Sequence, residues 1–353
     1  MAQIVVEHLR RGFRVAERDP GMLGAFRGLL RRRHREVLAL EDLSFRIEPG
    51  ELVGYIGPNG AGKSTTIKIL CGVLVPTSGT CTVDGLVPWQ SRAQHVARIG
   101  AVFGQRTQLW WDLPTIESFE LLREIYRVPM AAWRQNLDEL VQLLDIASLL
   151  DVPVRQLSLG QRMRCDLVAA LLHAPRILFL DEPTIGLDAA SKLAVRHFVQ
   201  RLNRERGVTV ILTTHDMDDI EALCERVLVI HQGKLLVDGG LASLRARLGG
   251  ERRLIAELAD DAQVEPLPGT RILSQGDGRV VFGFDPAAHP VADVINALMQ
   301  RCSVRDLTVE HQPIEEVVAT LYRDAPALVD RQADERAQAR SDGAAAGSRE
   351  GGG

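Results

Sequence analysis

The 353-residue sequence has no apolar run long enough to cross a membrane. A membrane-spanning helix needs about 18 or more consecutive apolar residues. The best candidate, Leu167 to Leu180, is interrupted by His173, Pro175 and Arg176. The N-terminal residues also lack the apolar segment of a secretory signal. We therefore expect a cytoplasmic chain that does not itself span the bilayer.

The sequence is also poor in cysteine and carries little excess charge. The five cysteines form no C-x-x-C pair and are predicted to be reduced, structural thiols; they are Cys71, Cys81, Cys165, Cys224 and Cys302. A formal net charge of −4 argues against a protein that binds nucleic acid over its whole surface, and we expect no nucleic-acid partner. The length fits about two globular domains.

A glycine-rich stretch fits the phosphate-loop pattern G-x-x-x-x-G-K-[ST] without a mismatch. Its residues are Gly57, Pro58, Asn59, Gly60, Ala61, Gly62, Lys63, Ser64 and Thr65. The residues before it, Glu51 to Ile56, are typical of a buried strand, and Thr66 to Leu70 have helical spacing. This context predicts a nucleotide-binding site.

The residue types in this stretch suit the binding of phosphate groups. Glycine lets backbone N–H groups approach an anion where a Cβ would block them. The positive end of the following helix points at the same phosphates. We expect Lys63 to contact the β- and γ-phosphates and the Ser64 hydroxyl to bind Mg²⁺.

Two adjacent acids follow a strongly apolar predicted strand. Asp181 comes directly after Ile177 to Leu180, where its carboxylate would lie beside the phosphate loop and hold Mg²⁺. Glu182 points elsewhere and would orient or deprotonate the attacking water. This pair predicts the catalytic part of the same site.

The apolar pattern predicts an α/β fold. Further strands are expected at Gln3–Glu7, Val37–Ile47, Thr80–Gly85 (strand and turn), Ile99–Phe103, Arg176–Leu180, Val208–Thr213 and Arg226–Ile230. From about Thr115 to Leu172 the period becomes helical, and prolines divide this region into separate helices. Strands that alternate with helices imply a parallel sheet covered on both faces.

Residues Arg14 to Arg35 interrupt this pattern between two predicted strands. Apolar side chains recur there at helical spacing and are followed by a basic run; they are Met22, Leu23, Phe26, Leu29 and Leu30, then Arg31 to Arg35. Two interpretations stay open. The segment is either a helix packed on the domain surface or a helix that faces a partner or anionic lipid headgroups.

A second domain is predicted at residues 250–324, after a boundary near Gly249-Gly250. Short strands are mixed with two helices, which indicates a small α+β accessory domain; the strands are Leu254–Leu258, Val280–Phe284 and Val304–Val309, and the helices Val291–Gln300 and Ile314–Tyr322. Residues 325–353 are rich in alanine, glycine, serine and charge and have no aromatics, so we expect a disordered tail.

Four further motifs accompany the phosphate loop and the acidic pair in one order. They are Gln105 after a strand, Leu157-Ser158-Leu159-Gly160-Gln161, Gly186-Leu187-Asp188, and Thr214-His215 at the end of another strand. Together the motifs resemble the nucleotide-binding subunit of ABC transporters. The resemblance covers residues 1–240 and implies a P-loop NTPase with an ABC-type helical subdomain at about residues 106–175.

The resemblance implies ATP and Mg²⁺ as cofactors and a role for each residue of the catalytic site. Glu182 would be the catalytic glutamate, and His215 would be the switch histidine at the γ-phosphate. Gln105 would contact Mg²⁺ and water and couple the site to a membrane partner. Ser64 and Asp181 would be the other metal ligands.

The resemblance also implies a dimer with a second ATPase subunit, a homodimer. Ser158, Gly160 and Gln161 would form the signature motif, which contacts the ATP held by the opposite subunit. Asp188 would lie in the D-loop at the dimer interface. Two chains would thus enclose two ATP molecules, and neither site would be complete alone.

Two departures from the family pattern concern the signature and the adenine contact. Leu159 replaces the first glycine of the usual L-S-G-G-Q, so we expect the contact across the dimer to survive with an altered loop geometry. The family stacks adenine on an aromatic residue shortly before the phosphate loop. Phe13 is the candidate, and Phe26 is the alternative.

The resemblance implies integral membrane permease subunits as partners and a peripheral position on the cytoplasmic face of the inner (plasma) membrane. Asp112–Phe119 and Thr308–Val317 resemble two-component exporters of the drug, polysaccharide or viologen type. An importer subunit is an alternative. A soluble ABC ATPase acting on ribosomes or DNA is another, although the sequence has one phosphate loop and no sustained heptad repeat over Lys68–Gln156.

Overall fold

The computed structural model of the chain describes residues 2–16, 34–104, 106–247, 250–259 and 263–323. The chain divides into two units, Met1–Gly239 and Gly240–Gly353. The first contains the phosphate loop and the other motifs of the predicted site. Among the described residues, no helix combines the length and the apolar character needed to cross a bilayer.

A nine-stranded sheet forms the centre of the first unit. Its strands are β1 (Ile4–Ala16), β2 (His34–Ile47), β3 (Leu52–Ile56), β4 (Ser78–Val83), β5 (Ile99–Phe103), β6 (Ile177–Asp181), β7 (Thr209–Thr213), β8 (Arg226–His231) and β9 (Lys234–Gly240), in the order β4-β1-β2-β9-β8-β3-β7-β6-β5. Neighbouring strands from β8 to β5 are parallel. Their apolar side chains are buried because both faces of the sheet are covered.

Seven α-helices of this unit lie in the described residues. They are α1 (Lys63–Leu70), α2 (Arg92–Val96), α3 (Thr115–Tyr126), α4 (Met130–Leu144), α5 (Leu159–Leu171), α6 (Ala189–Arg206) and α7 (Met217–Leu223). The predicted helical region contains α3, α4 and α5. Pro114 and Pro129 directly precede α3 and α4, where a proline costs little because the first helical N–H groups have no intrahelical acceptor.

The prediction of a parallel sheet is wrong for one side of the sheet. β1 pairs antiparallel with both β2 and β4. The strand predicted at Gln3–Glu7 is also much longer, since β1 continues to Ala16. Register shifts in the β1–β2 ladder break the regular alternation of side chains, which hides this continuation from a sequence pattern. Strand β9 and helix α2 were not predicted.

The ends of the predicted insertion belong to the β1–β2 ladder. Arg14 pairs with Glu36, and Ala16 pairs with His34, so the predicted extent of the insertion is wrong at both ends: residues 14–16 and 34–35 are strand. Residues 17–33, with Phe26 and the apolar stripe, lie outside the described residues. Both interpretations of that segment therefore stay predictions.

The second unit is an antiparallel sheet with helices. Its elements are α8 (Leu241–Arg247), β10 (Arg252–Leu258), β11 (Thr270–Gly276), β12 (Arg279–Phe284), α9 (Val291–Met299), β13 (Val304–His311) and a helix over residues 314–323, and the strand order is β11-β12-β10-β13. Buried apolar side chains of β10, β12 and α9 form its core. Strand β11 was not predicted. The predicted tail, residues 325–353, lies outside the described residues.

A buried carboxylate joins α5 to the segment that follows β5. Asp166 of α5 accepts hydrogen bonds from Thr107 Oγ1 at 2.8 Å and from the backbone N–H of Gln108 at 3.1 Å. The Gln108 side chain returns a bond to the Asp166 carbonyl at 3.0 Å. Burial raises the pKa of Asp166 to about 6, although the bonds from Thr107 and Gln108 oppose this shift.

This raised pKa predicts a specific pH dependence of stability. The Asp166 carboxyl group binds its proton more tightly in the native protein than in the unfolded chain. Its contribution to the free energy of unfolding is therefore complete below about pH 4 and is lost as the pH rises through about 6. Asp166→Asn keeps an oxygen acceptor but cannot ionise. Its free energy of unfolding, relative to the unsubstituted protein, should rise by on the order of 2 kcal/mol between pH 4.5 and 7.5, as measured by urea unfolding.

Asp138→Asn is the matched control, because Asp138 is exposed on α4. Its difference from the unsubstituted protein should stay nearly constant over the same pH range. A constant difference for Asp166→Asn as well would contradict the raised pKa inferred for Asp166.

Candidate nucleotide-binding site

The phosphate loop connects β3 to α1 at the carboxyl edge of the parallel strands. Two of its glycines have no room for a side chain. A Cβ on Gly57 would lie 2.5 Å from the carbonyl oxygen of Ile230, and one on Gly62 would lie 2.6 Å from that of Ala39. Gly62 also has a φ of 110°, which is strained for any other residue. The loop thus depends on glycine for its shape.

The loop presents a set of donors suited to phosphate groups. Helix α1 begins at Lys63, and among the described residues no side chain caps it, so the N–H groups of its first turn are available to an anion. The Lys63 ammonium is buried in the loop, where Nζ donates to the carbonyl oxygens of Gly57 at 2.6 Å and Pro58 at 3.2 Å. Burial lowers the pKa of Lys63, and the nearby acids Glu182 and Asp181 oppose that shift. These donors fit a triphosphate.

Oxygen ligands for a divalent ion face each other beside the loop. The Ser64 hydroxyl lies 3.5 Å from Asp181 Oδ1, which also accepts a 2.5 Å hydrogen bond from Thr213 Oγ1. A hydroxyl and a carboxylate fit Mg²⁺, which takes few protein ligands and completes its shell with phosphate and water. Among the described residues, no group of three or more His, Cys, Asp or Glu side chains forms a metal cluster. Gln105, the third expected ligand, lies outside the described residues.

Glu182 and His215 approach each other at the same edge. Glu182 Oε1 lies 3.6 Å from His215 Nδ1. The backbone of Glu182 is in the left-handed region with φ 57°, and its N–H donates to the Thr213 carbonyl oxygen at 2.9 Å. This unusual conformation turns Glu182 away from the strand direction of Asp181. The structure therefore brings together both expected catalytic side chains that it describes.

Phe13 lies on β1, and the neighbouring strand β2 passes the phosphate loop. Phe13 pairs with Val37 of β2, and Ala39, two residues further along β2, is the neighbour that excludes a side chain at Gly62. The Arg11 guanidinium lies 4.7 Å from the centroid of the Phe13 ring. This position is compatible with the expected adenine contact. The alternative, Phe26, lies outside the described residues.

The signature residues form a capping box at the start of α5. The Ser158 hydroxyl accepts the N–H of Gln161 at 3.2 Å, and Gln161 Oε1 accepts the N–H of Ser158 at 2.9 Å. The S-x-x-Q spacing thus has a local structural function as well. Leu159, the departure from the family pattern, leaves this box intact.

The D-loop packs against the signature residues of the same chain. Asp188 caps α6 by accepting the N–H of Ser191 at 2.9 Å and its hydroxyl at 2.8 Å, and these bonds lower the pKa of Asp188. A Cβ on Gly160 would lie 2.4 Å from Ser191 Oγ. Leu159 Cδ2 lies 3.0 Å from the position of a Cβ on Gly186. The first turns of α5 and α6 therefore share one surface.

The chain is similar to known proteins. The ABC transporter family model matches residues 40–185. The daunorubicin resistance ATP-binding protein DrrA3 of Streptomyces coeruleorubidus is 34% identical over 272 residues, which are 76% of this chain and 83% of that protein. The Nod factor export ATP-binding protein I of Burkholderia pseudomallei (strain 1710b) is 36% identical over 211 residues, which are 59% of this chain and 68% of that protein.

This chain belongs to the ABC transporter ATP-binding proteins. A solved structure supports the fold: a dimeric ATP-binding cassette in a post-hydrolysis state with ADP and Pi has a TM-score of 0.56, 26% identity, and matches 67% of this chain and 98% of that chain. The family resemblance and the α/β cassette expected from the motifs are confirmed. The role of each site residue in this ABC protein stays a prediction.

Two residues whose hydrogen bonds fix parts of this ABC protein's candidate site were not identified from the sequence. Thr213 donates to Asp181 and accepts from Glu182, and Asp166 joins α5 to Thr107 and Gln108. The only signal for Asp166 was a single acid in an otherwise apolar stretch of α5. For Thr213 the signal was a hydroxyl next to the Thr214-His215 motif.

The capping box predicts that Ser158 stabilises the monomer as well as serving the expected contact across the dimer. Ser158→Ala should lower the free energy of unfolding by about 1 kcal/mol without nucleotide, because α5 loses its N-cap. Urea unfolding of the nucleotide-free protein measures this effect. Ser158→Asp is the matched control, since aspartate caps as well as serine does.

The aspartate variant should keep its stability but lose ATP-dependent dimerisation, because its charge would repel a phosphate group of the partner's nucleotide. Dimerisation is measured by light scattering. Equal stability of Ser158→Ala and the unsubstituted protein would show that the capping box contributes nothing.

Proposed function

We propose that this chain is the ATP-hydrolysing subunit of an ABC exporter, in which two copies close around two Mg-ATP and drive transport through separate membrane subunits. One observation carries the proposal. The phosphate loop, the oxygen pair Ser64 and Asp181, and the catalytic pair Glu182 and His215 all lie at one edge of the sheet. That arrangement suits phosphoryl transfer to water.

The side chains of the site divide the chemistry among them. Lys63 and the first N–H groups of α1 bind the phosphates, and Ser64 and Asp181 would hold Mg²⁺, which supplies positive charge against the phosphate oxygens. Water attacks the γ-phosphorus, the bond to the ADP oxygen breaks, and Glu182 accepts the proton that the water loses. His215 is close enough to Glu182 to orient its carboxylate, and it would donate to the γ-phosphate of bound ATP.

The surface shared by α5 and α6 supports a dimer. Ser158 is exposed at the start of α5, and Gly160 lies directly against the D-loop helix. In a dimer, that surface would meet the ATP bound by the other chain. The dimeric form of the solved ATP-binding cassette is consistent with this assembly. The site would then be complete only after two chains meet.

The membrane partner and the direction of transport are supported by separate observations. Relatives named for Nod factor export and for daunorubicin resistance favour an exporter over an importer. Trp110 and Trp111 are 39% and 50% exposed, shortly after the Gln105 position. Exposed aromatic pairs are typical of protein interfaces, and a permease subunit at the cytoplasmic face of the plasma membrane would cover them.

The role of Glu182 predicts a trapped complex. Glu182→Gln should bind ATP with nearly unchanged affinity, hydrolyse it at least about 100-fold more slowly, and accumulate an ATP-bound dimer, because the amide cannot accept the proton. Phosphate release and size-exclusion chromatography with ATP measure these effects. Normal turnover would remove Glu182 from the mechanism.

Lys63→Ala is the complementary control. Its loss of the buried ammonium should abolish tight ATP binding, and with it both hydrolysis and dimerisation. Unchanged ATP affinity in Lys63→Ala would contradict the assignment of the phosphate loop.

The transporter assignment predicts a membrane partner. Tagged Glu182→Gln protein, expressed in its native host and purified from detergent-solubilised membranes in ATP, should retain a stoichiometric integral membrane subunit. Lys63→Ala, purified in parallel, controls for ATP dependence. Recovery of ribosomes or DNA, or of no partner despite ATP binding, would favour a soluble ABC ATPase, and a permease of known import function would overturn export.

A further inference from the structure

A fully buried carboxylate lies behind the catalytic pair. Asp219 of α7 has no exposed surface. It accepts hydrogen bonds from the hydroxyls of Thr184 and Thr214, the latter at 3.3 Å, and from Arg196 Nε at 2.5 Å. Two hydroxyls and a guanidinium thus compensate one buried charge.

The three donors come from three separate segments, each of which contains a residue of the proposed mechanism. Thr184 follows Glu182 by two residues, and Thr214 directly precedes His215. Arg196 lies on α6, the helix that Asp188 caps. One carboxylate therefore joins the Glu182 loop, the His215 loop and the helix that begins at the D-loop.

A second ion pair fixes the other side of His215 to the same helix. Asp216 pairs with Lys192 Nζ of α6 and lies 3.6 Å from Arg196 Nη2. Its N–H also donates to Thr214 Oγ1 at 3.0 Å. His215 therefore lies between two residues that are both bonded into the network, and α6 provides its cations.

Local helix capping does not explain the position of the Asp219 side chain. An acid at the third residue of a helix commonly folds back onto its own N-terminus. In α7 that function belongs to Asp216, which accepts the N–H of Asp218 at 3.2 Å. The Asp219 side chain instead contacts residues of three other segments, which are 5, 23 and 35 positions away along the chain.

We propose that Asp219 is a positioning residue for the proposed ATP hydrolysis. It holds the Glu182 and His215 loops at a fixed distance from α6, so that contact of a second chain with the D-loop is transmitted to the catalytic pair. The inference rests on the proposed function. It adds to that function a physical connection between the dimer surface and the catalytic side chains.

Asp219→Asn tests the proposal, because the amide has the same shape but lacks the charge that Arg196 requires. Its kcat for ATP should fall at least tenfold, while the Kd for ATP, measured with a fluorescent analogue, should change less than about twofold. Asp218→Asn is the matched control, since Asp218 is the exposed neighbour on the same helix; it should leave both values unchanged. An unchanged kcat in folded Asp219→Asn would overturn the proposal.

Single-contact variants keep the proposal testable if Asp219→Asn does not fold. Thr184→Val and Thr214→Val each remove one hydroxyl and should each lower kcat severalfold with little change in Kd. Arg196→Lys should retain more activity than Arg196→Met, because it keeps the cation. Equal kcat values for all four variants and the unsubstituted protein would overturn the inference.

A double-mutant cycle separates positioning from general damage. If Asp219 acts through His215, Asp219→Asn should lower single-turnover hydrolysis much less in a His215→Ala background than in the unsubstituted protein. The same comparison in a Glu182→Gln background tests the route through Glu182. Effects that multiply in both backgrounds would indicate independent damage and overturn the proposal. If the unsubstituted protein binds ATP but does not hydrolyse it, the proposed function itself fails; normal hydrolysis with an insensitive Asp219→Asn refutes only the positioning role.

Discussion

The parallel register of β6 and β7 is the constraint on which the site depends. It places Asp181 opposite Thr213, so that one threonine binds the Asp181 carboxylate through its hydroxyl and the Glu182 N–H through its carbonyl. The next strand, β3, pairs with β7 on its other side and leads into the phosphate loop. A shift of one residue would turn these side chains to the opposite face. The acids would then no longer lie beside the phosphate loop.

The capped N-termini of two helices connect this part of the sheet to the surface of the proposed dimer. Ser158 and Asp188 cap α5 and α6, and the contact of Gly160 with Ser191 packs the two first turns together. Helix α6 in turn supplies Arg196 to the buried Asp219. The proposed dimer surface and the proposed catalytic pair are thus connected through hydrogen bonds and one helix. In such a network, a change at either end has a physical route to the other.

Much of the fold was predictable where a local pattern was strong. The apolar runs of β5 and β6 agree with expectation within one residue, and α3 and α4 lie in the region predicted to be helical and are separated at a predicted proline. Strand β9, with its charged and glycine residues, has no such pattern. The outer part of β1 contains register shifts and many polar residues, so the sequence resembled a short strand and an insertion. Antiparallel pairing at that side of the sheet depends on distant partners.

The sequence by itself determined which motifs this protein contains: a phosphate loop, an acidic pair and a signature motif, each recognisable from its residue types and short spacing. These properties are local, since glycine torsions, helix starts and capping boxes involve residues only a few positions apart. Only the tertiary structure decided which side chains meet. Ser64 and Asp181 are 117 positions apart, and Arg196 and Asp219 are 23. Their contacts exist because strand register and helix packing place them together, and neither can be read from the spacing of residues along the chain.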